Sequence, residues 1–102
     1  MAEKLGIAVT TQGIMKHVLG LARAASDIGK ETEVFFTGEG VHLTQDTDFP
    51  ELVNITRVTV CESSYFARGY KGLEIPGMID KDFTTQAHHA ELVETSDRYV
   101  IL

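Results

Sequence analysis

A chain of 102 residues, 43% of them hydrophobic, has material for one core and not for a second. Its 15 acidic and 9 basic side chains leave a formal charge of −6, and no run of Lys or Arg interrupts that background, which argues against nucleic acid and anionic membranes as partners. The apolar run over residues 5–9 is too short for a signal sequence or a membrane span, and a single cysteine forbids an internal disulfide; both agree with a reducing cytoplasm.

The predicted elements alternate along the chain. Residues 4–10, with Leu5, Ile7 and Val9 around Gly6 and Ala8, read as a first strand buried on both faces in a parallel sheet. Ile14, Val18, Leu21, Ala22, Ala25 and Ile28 recur at helical spacing, with Lys16, Arg23 and Asp27 on the other side and Gly29 as the stop. Residues 33–37 give a second strand, and Gly38-Glu39-Gly40 turns the chain, completing one βαβ unit. Residues 41–55, broken by Asp46, Asp48 and Pro50, predict a loop with one short helix. Residues 57–61 are a third strand, followed by a short helix over 63–68 that ends at Gly69. Residues 71–77 read as a loop leading to a fourth strand near Met78 and Ile79. Asp82 or Thr84 then caps a helix marked by Ala87, Ala90, Leu92 and Val93, and residues 98–102 close the chain as a fifth strand. The pattern predicts one domain over residues 1–102, with a three-layer α/β/α architecture around a five-stranded, mainly parallel sheet. A domain this small buries only about two-thirds of its unfolded surface, so self-association is the expectation.

Functional groups in such sheets gather at the carboxyl ends of the strands, and Cys61 stands at one of those ends. A thiolate beside helical N–H groups is stabilised and stays nucleophilic near neutral pH. Glu62 opposes that activation, and Arg68 lies two helical turns away. Cys61 has two readings on these grounds: a reactive thiol, or a buried and inert small hydrophobe.

The stretch Cys61-Glu62-Ser63-Ser64-Tyr65-Phe66-Ala67-Arg68-Gly69 resembles the cysteine segment of the DsrE/DsrF-like sulfur-relay family, in which a strand-end cysteine precedes a short helix ending in Arg-Gly. Phe35-Phe36-Thr37-Gly38-Glu39-Gly40-Val41 resembles that family's strand and Gly-acidic-Gly-Val turn, and residues 92–102 are similar to its final helix and strand. The resemblance implies that Cys61 carries sulfur as a persulfide, taken from a donor protein and passed to an acceptor protein, with no metal or organic cofactor. It also implies homo-oligomers, or hetero-oligomers with related subunits. Arg68, Ser64, His42, Gly38, Gly40 and Tyr65 are the supporting or pocket candidates around it. Glu62, Tyr65 and Phe66 depart from the small residues of the family, and its non-catalytic members offer the alternative of an interaction subunit with an inert Cys61.

His42 follows the second strand and would approach Cys61 if those strand ends were neighbours; otherwise it is an ordinary loop histidine. His88 and His89, adjacent on a helix, point about 100° apart, and with His17 alone they predict no structural zinc site. Thr10-Thr11-Gln12-Gly13 and Gly38-x-Gly40 lack the glycine fingerprint of a nucleotide loop. Tyr65, Phe66 and Tyr70, close behind the cysteine, form either a wall of its pocket or an apolar subunit contact, of which the contact is the expectation.

Overall fold

The computed structural model of the chain describes residues 3–102. Its strands are β1 (Lys4–Val9), β2 (Glu31–Phe36), β3 (Arg57–Cys61), β4 (Phe83–Thr84) and β5 (Arg98–Ile101). Its helices are α1 (Met15–Asp27), α2 (Phe49–Ile55), α3 (Glu62–Ala67) and α4 (Gln86–Thr95), with 3-10 turns at Gly38–Gln45 and Asp80–Asp82. All pairings are parallel, in the order β4-β3-β2-β1-β5.

The order explains the layers. Three successive crossovers step in one direction from β1 to β4, and a right-handed crossover then puts their helices on one face; α4 steps back across the sheet to deliver β5 beyond β1, and so must cover the opposite face. On the first face Met15, Val18, Leu19, Ala22 and Ala25 of α1 and Leu52 of α2 pack with Leu5, Ile7, Val9, Val34, Phe36, Val58 and Val60. On the other face a smaller cluster joins Phe35, Cys61 and Leu92 of α4. Gly6 lies under α4: a β-carbon there would collide with Ser96 Oγ and crowd Leu92, so the helix seats where β1 has no side chain. The sheet is therefore the three-layer α/β/α arrangement expected, and it is parallel throughout.

Several local expectations are corrected. The fourth strand is residues 83–84, not 78–79, because Asp82 accepts the Ile79 N–H at 2.9 Å and folds that stretch into a 3-10 turn. Thr84 pairs with Cys61 in the ladder and Thr85 is the N-cap, so neither Asp82 nor Thr84 caps α4. Residues 38–45 are 3-10 helix, not an open turn and loop; the one short helix expected in the stretch that follows is α2, with Pro50 in its first turn, where a proline has no N–H to leave unpaired. Gly40 is required there: a β-carbon would collide with the carbonyl of Val9. No helix among the described residues is long and apolar enough to cross a membrane.

Candidate functional site

Cys61 is the last residue of β3 and the N-cap of α3, with extended backbone at φ −68° and ψ 111°. Alternation along β3 puts Val58 and Val60 on the α1 face and turns Thr59 and Cys61 toward α4. The cysteine is 1% exposed. Its Sγ lies 3.3 Å from Ser63 Oγ and receives the Gln86 side-chain N–H at 3.4 Å. Burial pushes the thiol up, but hydrogen bonds from Ser63, from the Ser64 hydroxyl and backbone, and from Gln86 outweigh it and bring the pKa down from 9.0 to about 7. A substantial fraction of the sulfur is then thiolate at neutral pH.

Gln86 is itself held. Its amide nitrogen also donates to Thr37 Oγ1 at 2.9 Å, and its Oε1 faces His89 Nδ1 at 3.0 Å. Because that oxygen only accepts, Nδ1 carries a proton; Nε2 faces the Tyr99 hydroxyl, 2.5 Å away. The His89 ring lies stacked over Phe35, centroids 4.9 Å apart. Donors thus run in one sense from His89 through Gln86 to the sulfur, with Tyr99 beyond, which favours negative charge at the sulfur. Burial pushes the Tyr99 phenol up, keeping it a proton donor.

The other wall comes from the segment after β2. Ser64 Oγ accepts the Gly38 N–H at 3.1 Å and lies 3.4 Å from Thr37 Oγ1. Gly38 has φ +57°, a conformation in which glycine carries no side-chain penalty. Ser64, Gly38 and Cys61 are thus brought together.

Arg68 and His42 are not brought to the sulfur. Arg68 sits at the C-cap of α3, donating to Glu39 at 3.3 Å and to the Ser64 carbonyl at 3.2 Å, so it ties α3 to the 3-10 segment. His42 contacts the Tyr70 hydroxyl through Nδ1 at 2.6 Å and Glu39 through Nε2 at 2.9 Å. The Arg68 guanidinium beside Glu39, with His42, holds that carboxyl below its usual range. Tyr65 is buried, donates to the Leu73 carbonyl at 3.0 Å and packs on Tyr70 and Phe83, so it is a core residue and not a subunit contact. Tyr70 is half-buried against it, which leaves Phe66 as the exposed member of that aromatic group. Glu62 is exposed, clear of the sulfur's hydrogen-bond partners.

Sequence reasoning missed Ser63, Thr37, Gln86, His89 and Tyr99 as neighbours of the site. It also missed a second polar cluster on the α4 face: buried Glu33 accepts from Thr59 at 3.0 Å and meets His88 at 2.6 Å, with Arg57 at 3.6 Å and Lys4 at 3.9 Å. No group of three or more His, Cys, Asp or Glu among the described residues could hold a metal ion. Neither the protein-family models nor the curated proteins give a match to this sequence.

Proposed function

We propose that the protein carries sulfane sulfur as a persulfide on Cys61. The observation that supports it is the convergence of Ser63, Ser64 and Gln86 on one strand-end sulfur, which favours its thiolate near neutral pH. The chemistry needs no cofactor. The Cys61 thiolate attacks the sulfane sulfur of a donor persulfide or polysulfide; a new S–S bond forms, the donor's S–S bond breaks, and its electron pair leaves with the donor thiolate. An acceptor thiolate then attacks the outer sulfur and Cys61 departs as thiolate, so the transfer is redox-neutral overall. A pKa near ambient pH serves both steps, as attacking group and as leaving group. The chain has no second cysteine to resolve the persulfide internally, so donor and acceptor are separate molecules. The resemblance to the sulfur-relay family agrees with this reading.

A second reading, a non-catalytic interaction subunit, draws on the packing of Cys61 between Phe35 and Leu92 at 1% exposure. Intact-protein mass spectrometry after exposure to inorganic polysulfide separates the two. A gain of sulfur reversed by reductant, present in the wild type and absent in Cys61→Ser, is the expected result. No gain in folded, reduced protein would replace the carrier with the interaction subunit.

A further inference from the structure

At the β4 edge of the sheet, the loop after α3 leaves a groove of about 760 Å³, within the range of binding clefts. Three large apolar side chains line it while standing free: Phe66 is 40% exposed, Leu73 51% and Ile79 57%. Exposed apolar residues in a protein are mostly scattered singly; here three stand around one groove. The charged residues of the lining are Glu62, Glu74 and Asp80, and no ion pair among the described residues engages any of them. The nearest cations stand outside the lining: Lys71 lies over the Phe66 ring at 5.5 Å, and Lys81 follows Asp80 in the chain. Beside them β4 is a two-residue edge strand with no neighbour on its outer side.

We infer that this groove docks a segment of a partner protein that presents a large apolar residue flanked by Lys or Arg. The apolar side chain would remove Phe66, Leu73 and Ile79 from water, and the flanking cations would meet the three free carboxylates. Charge favours this occupant over a groove-to-groove contact between two copies, because the charged lining is wholly acidic and would face itself. The groove begins at Glu62, the residue after Cys61 in the chain, while the sulfur itself faces α4 on the other side of the sheet. Identifying that partner as a sulfur donor or acceptor rests on the persulfide reading; the docking chemistry does not.

A random peptide-display library panned on the folded full chain tests it. The expected result is enrichment of peptides with a large apolar residue between Lys or Arg. Their binding, followed by fluorescence anisotropy, falls about tenfold or more in Leu73→Asp and in the double variant Glu74→Gln/Asp80→Asn, and weakens with added salt. Backbone amide shifts on adding an enriched peptide should cluster over residues 62–80. Enrichment without net positive charge, undiminished binding in both variants, or shifts confined elsewhere would each overturn the proposal. So would a concentration-dependent dimer abolished by Leu73→Asp, which would put a second copy in the groove. Sulfur loading from inorganic polysulfide, measured on the same samples, needs no docked peptide: failed loading with intact peptide binding removes the persulfide reading alone, and the converse removes the docking site alone.

Discussion

The two faces of the sheet are built on different physics. Toward α1 and α2 the strands present Leu5, Ile7, Val9, Val34, Phe36, Val58 and Val60, an unbroken apolar layer that carries the burial energy of the fold. Toward α4 the same strands present Gly6, Ala8, Glu33, Phe35, Thr59 and Cys61, and α4 contributes Leu92 as its only buried residue. What holds α4 is mostly polar: Gln86 to Thr37 and Cys61, His88 to Glu33, His89 to Tyr99. One face supplies most of the apolar burial and the other holds the buried polar groups and the thiol, and a parallel strand makes both available from alternate residues.

Substitutions should break that division unequally. Phe36→Ala, at the centre of the apolar face, is expected to cost about 3–5 kcal/mol in denaturant unfolding, the largest effect of the set. Next is a pH effect from Cys61. Its folded pKa of about 7 lies below the free thiol value of about 9, so its contribution is complete above about pH 9, declines as pH falls toward 7 and is absent below. The stability of the wild type relative to Cys61→Ser should therefore rise by on the order of 2–3 kcal/mol across that window. A flat difference would mean that the hydrogen bonds do not favour the thiolate. His88→Ala should cost about 1–3 kcal/mol by depriving buried Glu33 of a partner, while circular dichroism shows the sheet retained.

The smallest effects sharpen the comparison most. Gln86→Ala should move the midpoint of Cys61 alkylation upward from about 7, since it removes a donor to the thiolate. Tyr99→Phe should move it in the same direction by less, being two hydrogen bonds further away. An unmoved midpoint in Gln86→Ala would assign that residue to holding α4 alone.

The sequence made one face far more legible than the other. β1, β2, β3 and α1 announce themselves because a strand buried on both sides, or a helix with one wide apolar stripe, leaves a pattern of hydrophobicity. Cys61 was placed at the end of β3 by the same signal. Gln86 was not visible, because a polar residue on a helix with a single buried side chain has no periodicity to declare what it reaches. The adjacency of His88 and His89 gave a partial clue: residues about 100° apart on a helix must find different partners, and they do, in Glu33 and in the Gln86–Tyr99 chain. β4, with two half-buried residues, is too short for any pattern, and Arg68 was drawn to the wrong neighbour because Glu39 approaches only through the fold.

The seating of α4 over Gly6 has a kinetic consequence. Leu92 and Ser96 lock the carboxyl end of the helix against β1, whereas its first residue, exposed Gln86, is held by hydrogen bonds to Thr37 and Cys61 that water can replace. Loosening is therefore expected to start at Gln86, which takes a hydrogen-bond donor from the sulfur while the opposite face stays packed. Reagent access to Cys61, which packs with Phe35 and Leu92, is then expected to follow displacement of α4 as far as Leu92 and not unfolding of the domain. Amide exchange should be quick at residues 86–89 and slow in β1 and β2 of the same molecule.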